Sequence, residues 1–132
     1  MGRVLVVGDV MTDIIVRPEG PPVRGSDRRA TIRRRQGGSA ANQAVWLGAM
    51  GARVALVARV GVEDVATLEA YLRARSVDPL LIADTERPTG ALVTLVDPDG
   101  ERSFLTDRGA NLALSPADLP DHLLETAALL VL

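Results

Sequence analysis

Short apolar runs, each closed by glycine, proline or an acidic residue, recur along this chain. The first, Arg3 to Val7, ends at Gly8 and predicts a buried strand in the centre of a parallel sheet. The same pattern predicts further strands over 53–60, 79–82, 91–96 and 127–132. Because the last run is almost wholly aliphatic, we expect it to be another buried strand.

Two segments between these strands carry apolar residues at helical spacing. The first, 39–50, has Ser39 as its expected N-cap and Gly51 as its expected stop. A stripe of small residues would let it lie close on a sheet: Ala41, Ala44, Val45 and Gly48. The second, 63–75, has its apolar stripe at Val65, Leu68 and Leu72. Strands that alternate with helices indicate an α/β fold.

A different pattern holds between the first strand and the first helix. Ile14 to Arg17 and Arg28 to Gln36 are extended pieces, joined by a loop rich in proline and glycine. The second piece has little apolar surface on either face, so we expect a peripheral flap. Farther on, Asp97-Pro98-Asp99-Gly100 predicts a turn that joins 91–96 to a second hairpin arm, 101–106.

Composition excludes several kinds of site. The chain has 15 Arg and Lys residues together, all of them Arg, and it has no Cys and one His. It therefore lacks a disulfide framework, a thiolate nucleophile, a Walker-type lysine and a histidine-rich metal site. Its net charge of −2 argues against a general nucleic-acid binder. None of the apolar runs approaches the roughly 20 residues of a membrane span, so we expect a cytoplasmic protein without a membrane segment.

The length of the chain changes the expected domain organisation. The last apolar run, 127–132, reaches the final residue with no helix after it to cover the strand. We therefore expect residues 1–132 to be the N-terminal part of a longer domain.

Two glycine-containing stretches are the strongest candidates for chemistry. Residues 8–13, Gly-Asp-Val-Met-Thr-Asp, follow the first strand, where open α/β sheets bind ligands and where carboxylates accept hydrogen bonds from hydroxyls. Residues 37–42, Gly-Gly-Ser-Ala-Ala-Asn, precede a helix, where backbone N–H groups are free and Asn42 offers both a donor and an acceptor. The alternatives are that the first stretch is a solvated turn and the second an ordinary strand–helix junction.

Arginines form two further groups. Arg28, Arg29, Arg33, Arg34 and Arg35 lie in the flap. Without interleaved aromatic residues they favour a solvated strand over a nucleic-acid surface, although a single arginine aimed at an anionic substrate group stays open. Arg102, Arg108 and Asn111 surround the hairpin; they would contact a substrate or only hold a loop.

Together these segments resemble the ribokinase-like (PfkB-type) carbohydrate kinase family. The most specific part runs from Gly37 to Gly61 and includes Gly-Gly-Ser-Ala-Ala-Asn-Gln-Ala and Leu-Gly-Ala-Met-Gly-Ala. Val7-Gly8-Asp9 with Asp13, Pro88-Thr89-Gly90-Ala91, the 97–102 turn and Gly109-Ala110-Asn111 support it in the same order.

The resemblance implies a fold and an activity. The fold would be a partial Rossmann-type α/β sheet (3–8, 37–82 and 112–132) with a small β-sheet lid (about 14–36 and 91–106). The activity would be ATP-dependent phosphorylation of a sugar or related alcohol such as a nucleoside. ATP and Mg²⁺ would bind mostly outside this chain, and lid strands would pair in a homodimer. The residues expected to bind substrate are Asp9, Met11, Asp13, Gly37, Gly38, Ser39, Asn42, Arg102 and Arg108.

The sequence also lacks a feature of that family. Its catalytic base is an aspartate in a Gly-Ala-Gly-Asp stretch, and no such stretch occurs here. We therefore expect no catalytic residue within 1–132, and no kinase activity from it alone. The alternatives are a non-catalytic fragment that binds sugar or self-associates, and an unrelated nucleotide-binding module. Arg102 and Arg108 leave room for an acidic or phosphorylated sugar beside ribose, fructose and nucleosides.

Overall fold

The structure is a computed structural model that describes residues 2–132. Its strands are β1 (Arg3–Val7), β2 (Met11–Pro18), β3 (Ala30–Gly37), β4 (Val54–Gly61), β5 (Val77–Asp84), β6 (Gly90–Val96), β7 (Arg102–Asp107) and β8 (Ala127–Val131). Its α-helices are α1 (Ser39–Ala49), α2 (Val65–Arg73) and α3 (Asp121–Thr126). Short 3-10 helices cover Val62–Asp64, Gly109–Ala113 and Pro116–Asp118.

The first sheet has the strand order β5-β4-β1-β8, and all of its pairs are parallel. Side chains of β1 alternate between two hydrophobic cores, one on each face of this sheet. Val6 packs with α1 and α2 residues such as Ala44 and Leu68, whereas Leu5 packs on the opposite face with Leu123 of α3. The predicted central position of β1 in a parallel sheet is confirmed, and helices lie on both faces.

The second sheet has the strand order β3-β2-β6-β7. β2 pairs in parallel with β6, and the two outer pairs are antiparallel. The predicted turn between β6 and β7 is confirmed, because Gly100 N donates to Asp97 O at 2.9 Å. All of β7 and the middle of β3 are exposed, so this sheet has no packed layer over its edge strands.

A buried carboxylate ties loops to the first sheet. Asp84, at the end of β5, is 2% exposed and accepts hydrogen bonds from Arg59 Nε at 2.9 Å and from the backbone N–H of Glu86 and Arg87. The Arg59 hydrogen bond is the main cause that lowers the pKa of Asp84 to about 2. Arg59 also lies 3.3 Å from the Asp118 carboxylate. This one side chain of β4 therefore pairs with the end of β5 and with the 3-10 helix Pro116–Asp118.

Three sequence predictions need correction. Ser39 is not the N-cap: it is the first residue of α1, Gly38 precedes it, and the Ser39 hydroxyl accepts from Gln43 instead. The helix predicted over 63–75 is a 3-10 turn followed by the shorter α2. The strand at 127–132 forms, but it is not buried: Leu129 is 55% exposed and Leu130 is 43% exposed, because β8 lies at a sheet edge and pairs only with β1.

Candidate functional site

The site begins where β1 ends, because Asp9 meets the start of α1 there. Asp9 Oδ1 accepts a hydrogen bond from Ala40 N at 2.9 Å, and the Asp9 carbonyl accepts one from Ala41 N at 3.2 Å. Free N–H groups of a helix N-terminus need such acceptors. Asp9 therefore performs the capping that the sequence analysis assigned to Ser39.

Gly38 allows the β1–β2 connection and α1 to come this close. Its φ is +99°, and a Cβ on it would lie 2.7 Å from the Asp9 carbonyl oxygen and 3.0 Å from Met11 N. A side chain would thus meet both a strained backbone conformation and rigid backbone atoms. The glycine is required by the junction itself.

Asp13 stands on β2 beside this junction. Its side chain is only 18% exposed, and Arg35 Nε of β3 lies 3.9 Å from its Oδ2. Burial raises the pKa of Asp13, and the charge of Asp9 adds to this; the nearby Arg35 opposes it. Gly37 packs directly against the Asp13 carboxylate, where any Cβ would collide with it.

On the other side of the site, the Asn111 side chain joins the β1–β2 connection to the end of β7. Its Oδ1 accepts from Val10 N at 3.1 Å, and its Nδ2 donates to the carbonyl oxygens of Val10 and Arg108, both at 3.0 Å. The side-chain amide is therefore used by the protein, which favours the loop-holding interpretation of this residue. Asn42 differs, since no hydrogen bond within residues 2–132 uses its exposed side-chain amide.

These segments enclose a cavity of about 300 Å³, which we call the polar cavity. It is lined by Asp9, Met11, Asp13, Gly38, Ser39, Asn42, Leu92, Thr106, Arg108 and Asn111. Its volume lies at the lower end of the range of small-molecule sites. Two carboxylates, a free amide and a guanidinium suit a ligand that has several hydroxyl groups.

Seven of the nine residues expected to bind substrate line the polar cavity: Asp9, Met11, Asp13, Gly38, Ser39, Asn42 and Arg108. Gly37 is buried behind Asp13 and supports it. Arg102 does not line the polar cavity. It stands at the far end of β7 and, with Arg17 and Arg35, lines a second cavity.

Sequence reasoning missed Leu92 and Thr106, which also line the polar cavity. Leu92 is opposite Asp13 in the β2–β6 register, and Thr106 is opposite Leu92 in the β6–β7 register. The three side chains therefore form a row across neighbouring strands. The alternation along each strand was visible in the sequence, but the register that aligns the strands was not.

The described residues do not offer a metal site. Within residues 2–132, no three carboxylate or histidine side chains converge as metal ligands. The resemblance places Mg²⁺ mostly outside this chain, so we derive no step through that ion from these residues. In the same part of the chain, no helix has the length and apolarity that crossing a membrane needs.

Comparison with known proteins gives the following relatives. The profile of the pfkB family carbohydrate kinases matches residues 1–132. The ATP-dependent ribose-1-phosphate kinase of Halopiger xanaduensis is 33% identical over 132 residues, which cover 96% of this chain and 44% of that protein. The chain thus spans less than half the length of this relative. It covers 23% of the length of a second curated relative.

Solved structures agree on the fold. A ribokinase from Giardia lamblia matches with a TM-score of 0.90 and 24% identity, over 98% of this chain and 44% of that one. Arabidopsis thaliana ribokinase, solved with ribose and ATP, matches with a TM-score of 0.81 and 27% identity over the same shares. The predicted ribokinase-like α/β fold is therefore confirmed, and the profile match over the whole chain shows that the protein belongs to the pfkB family of carbohydrate kinases.

Proposed function

We propose that this chain supplies the acceptor-binding part of an ATP-dependent carbohydrate kinase, with the second sheet as the lid over its substrate. One observation carries the proposal: Asp9, Asp13 and Asn42 come from three different segments and line the same cavity. Ligands of open α/β sheets sit at the carboxyl ends of strands, which is where the polar cavity lies.

Each polar group has a proposed role in holding the acceptor. The Asp13 carboxylate accepts hydrogen bonds from two sugar hydroxyls, and the free amide of Asn42 exchanges a donor and an acceptor with a third. Asp9 already uses Oδ1 on α1, so only its remaining acceptor capacity faces the sugar. Gly38 lets the ring lie against the backbone.

The names of the relatives indicate which compounds to test first. They include ribokinases and a ribose-1-phosphate kinase, so ribose and a ribose phosphate are the first candidate acceptors, and ATP is the proposed donor. An ATP-dependent reaction also fits the cytoplasmic location that the sequence predicts. We propose that Mg²⁺ accompanies ATP, at a site mostly outside this chain.

Binding of the acceptor can be measured directly. We expect ribose or a ribose phosphate to raise the melting temperature of the protein and to give a saturable calorimetric titration. Asp13→Asn should weaken this binding by at least about tenfold, as expected for hydrogen bonds to a charged group. Asp27→Asn, in the 19–29 loop where Asp27 is exposed, is the matched control and should bind as the wild type does.

The pH dependence provides a second readout. Because the ionised form of Asp13 accepts the hydrogen bonds, affinity should rise as pH increases through its raised pKa. Asp13→Asn should lose that dependence. The proposal fails if no sugar, sugar acid or nucleoside stabilises the protein, or if Asp13→Asn binds as tightly as the wild type.

Phosphoryl transfer is a separate matter. We propose that residues 1–132 bind an acceptor but form no sugar phosphate from ATP. Their sequence lacks the Gly-Ala-Gly-Asp stretch with the expected base, and residues 2–132 contain no group of metal ligands. A coupled ADP assay with the purified chain tests this. ATP-dependent product formation would contradict it, whereas sugar binding without turnover supports it and agrees equally with the alternative of a non-catalytic sugar-binding fragment.

We also propose that two copies associate through the second sheet. Its face away from the polar cavity carries aliphatic side chains on neighbouring strands: Ile14, Val16, Ile32, Val93, Leu95 and Leu105. Of these, Ile32 and Leu105 are well exposed. Light scattering should give a dimer for the wild type and a monomer for Leu105→Arg; a monomeric wild type at high concentration would exclude this pairing.

A further inference from the structure

A second cavity adjoins the polar cavity on the same face of the second sheet. It has a volume of about 260 Å³, and we call it the arginine cavity. Its lining includes Arg17, Arg35 and Arg102, together with Asp13 and Leu92, which also line the polar cavity. A ligand of sufficient length would therefore reach both cavities past the Asp13 carboxylate.

The charge of the arginine cavity is opposite to that of the chain. Three guanidinium groups line it against one carboxylate, whereas the chain as a whole has a net charge of −2. Only Arg35 has an ionic partner in it, Asp13 at 3.9 Å. Among residues 2–132, neither Arg17 nor Arg102 has a carboxylate oxygen within 4.0 Å.

Strand register explains why these arginines share one face. Val96 of β6 is opposite Arg102 of β7, and Val16 is opposite Leu95, which puts Arg17 beside Val96. Arg17 and Arg102 thus flank the same β6 residue, two strands apart, at roughly 10 Å between their backbones. Between the arginines, the cavity is lined by the apolar side chains of Ile15, Val96 and Phe104 and by the polar side chain of Thr94.

This combination is what an anion site requires. Arginine guanidinium groups pair with phosphate and carboxylate in charge-assisted, often bidentate hydrogen bonds. Because all three arginines are exposed, solvent and salt screen each single pair, so the attraction depends on several guanidinium groups that act on one anion together. Packing this face against its own copy would bring like charges together, so a bound anion accounts for the charges better than self-association does.

We propose that the arginine cavity binds an anionic group carried by the same acceptor whose hydroxyls occupy the polar cavity. The acceptor is then a sugar phosphate or a sugar acid. This inference rests on the proposed function, because it extends the same site. Arg17 and Arg102 bind the phosphate or carboxylate, and Arg35 contacts the same group from β3.

Calorimetry with four probes tests the proposal: ribose, ribose 5-phosphate, gluconate and inorganic phosphate alone. We expect at least one of the two anionic sugars to bind about tenfold or more tightly than ribose at low salt. Preference for ribose 5-phosphate identifies phosphate as the recognised group, and preference for gluconate identifies carboxylate. Inorganic phosphate should compete with the preferred sugar, and added salt should reduce the preference.

Variants then locate the anion. Arg17→Gln and Arg102→Gln together should abolish the preference for the anionic sugar and leave the affinity for ribose unchanged. Arg34→Gln is the matched control, because Arg34 is an exposed arginine on the same strand as Arg35 but on the opposite face. It should retain the full preference.

The two proposals fail in different ways. Equal affinity for ribose and both anionic sugars, with binding still lost in Asp13→Asn, overturns the anion subsite and leaves the acceptor site intact. A preference that survives the double arginine variant overturns the subsite as well. If no probe binds to the folded chain, the proposed function itself is wrong.

Discussion

The two sheets use strands of similar length, but their side chains meet different surroundings. In the first sheet, β4 is buried along nearly its whole length between helices, and its one charged residue, Arg59, is paired with Asp84. In the second sheet, β7 is exposed throughout, and arginines line one face. Burial therefore holds the first sheet together, whereas the second sheet has exposed side chains that are available to bind a ligand.

The largest expected effect comes from truncating one leucine in each sheet. Leu56 of β4 is fully buried, so Leu56→Ala should cost about 2–5 kcal/mol through lost burial and the cavity it leaves. Leu105 of β7 is 62% exposed in the single chain, so Leu105→Ala should change the free energy of unfolding of the monomer by less than about 0.5 kcal/mol. Urea unfolding measures both, and similar losses would break the comparison between the sheets.

The junction between the sheets should be the next most sensitive place. Gly38→Ala places a methyl group against the Asp9 carbonyl at a φ of +99°, so it should cost about 1–3 kcal/mol and also weaken sugar binding. Gly51→Ala is the control: its φ is +86°, but nothing lies within 4 Å of the added Cβ. It should cost less and leave binding intact, and equal effects would mean that close packing at Gly38 is unimportant.

The buried ion pair predicts a specific pH dependence. The folded pKa of Asp84, about 2, is lower than the ordinary value of 3.8, so its ionised form stabilises the fold above about pH 4. This stability is lost as pH falls towards 2. Asp84→Asn should therefore be less stable than the wild type near pH 6, and the gap should narrow on acidification. A gap that stays constant between pH 6 and pH 2.5 would contradict the role of the pair.

The smallest effect should come from the exposed ion pair of the second sheet. Arg35 is 70% exposed and 3.9 Å from Asp13, so Arg35→Gln should change stability by less than about 1 kcal/mol. It should nevertheless raise the pKa of Asp13 further, because the Arg35 charge opposes the effect of burial. An NMR titration of the Asp13 carboxyl measures this, and an unchanged pKa would show that Arg35 does not act on Asp13.

Local signals in the sequence predicted most of the elements and named most of the residues that line the polar cavity. Glycines before a helix and aspartates after a strand pointed to residues 8–13 and 37–42, and the structure brings these stretches together. The capping contact of Asp9 and the Arg59–Asp84–Asp118 cluster were not predicted, because they join residues that are 25 to 59 positions apart in the sequence. Local patterns carry no information on such pairs.

Two errors have the same origin. The sequence places Arg102 and Arg108 around one hairpin, but the six residues of β7 separate them by about 20 Å, and they line different cavities. It also expected the apolar run at 127–132 to be buried, yet Leu129 and Leu130 are exposed at a sheet edge. An apolar run predicts a strand, but only the sheet order determines what lies beside it.

Acceptor binding at the junction of the two sheets is tested by an NMR titration of the isotopically labelled chain with ribose or a ribose phosphate. We predict that amide signals of residues 9–13, 38–42 and 106–111 shift with saturation, while those of 53–54 and 73–78, at the other end of the first sheet, do not. Shifts confined to 53–54 and 73–78, or no shifts at sugar concentrations that saturate related kinases, would contradict the central claim that the junction of the two sheets binds the acceptor.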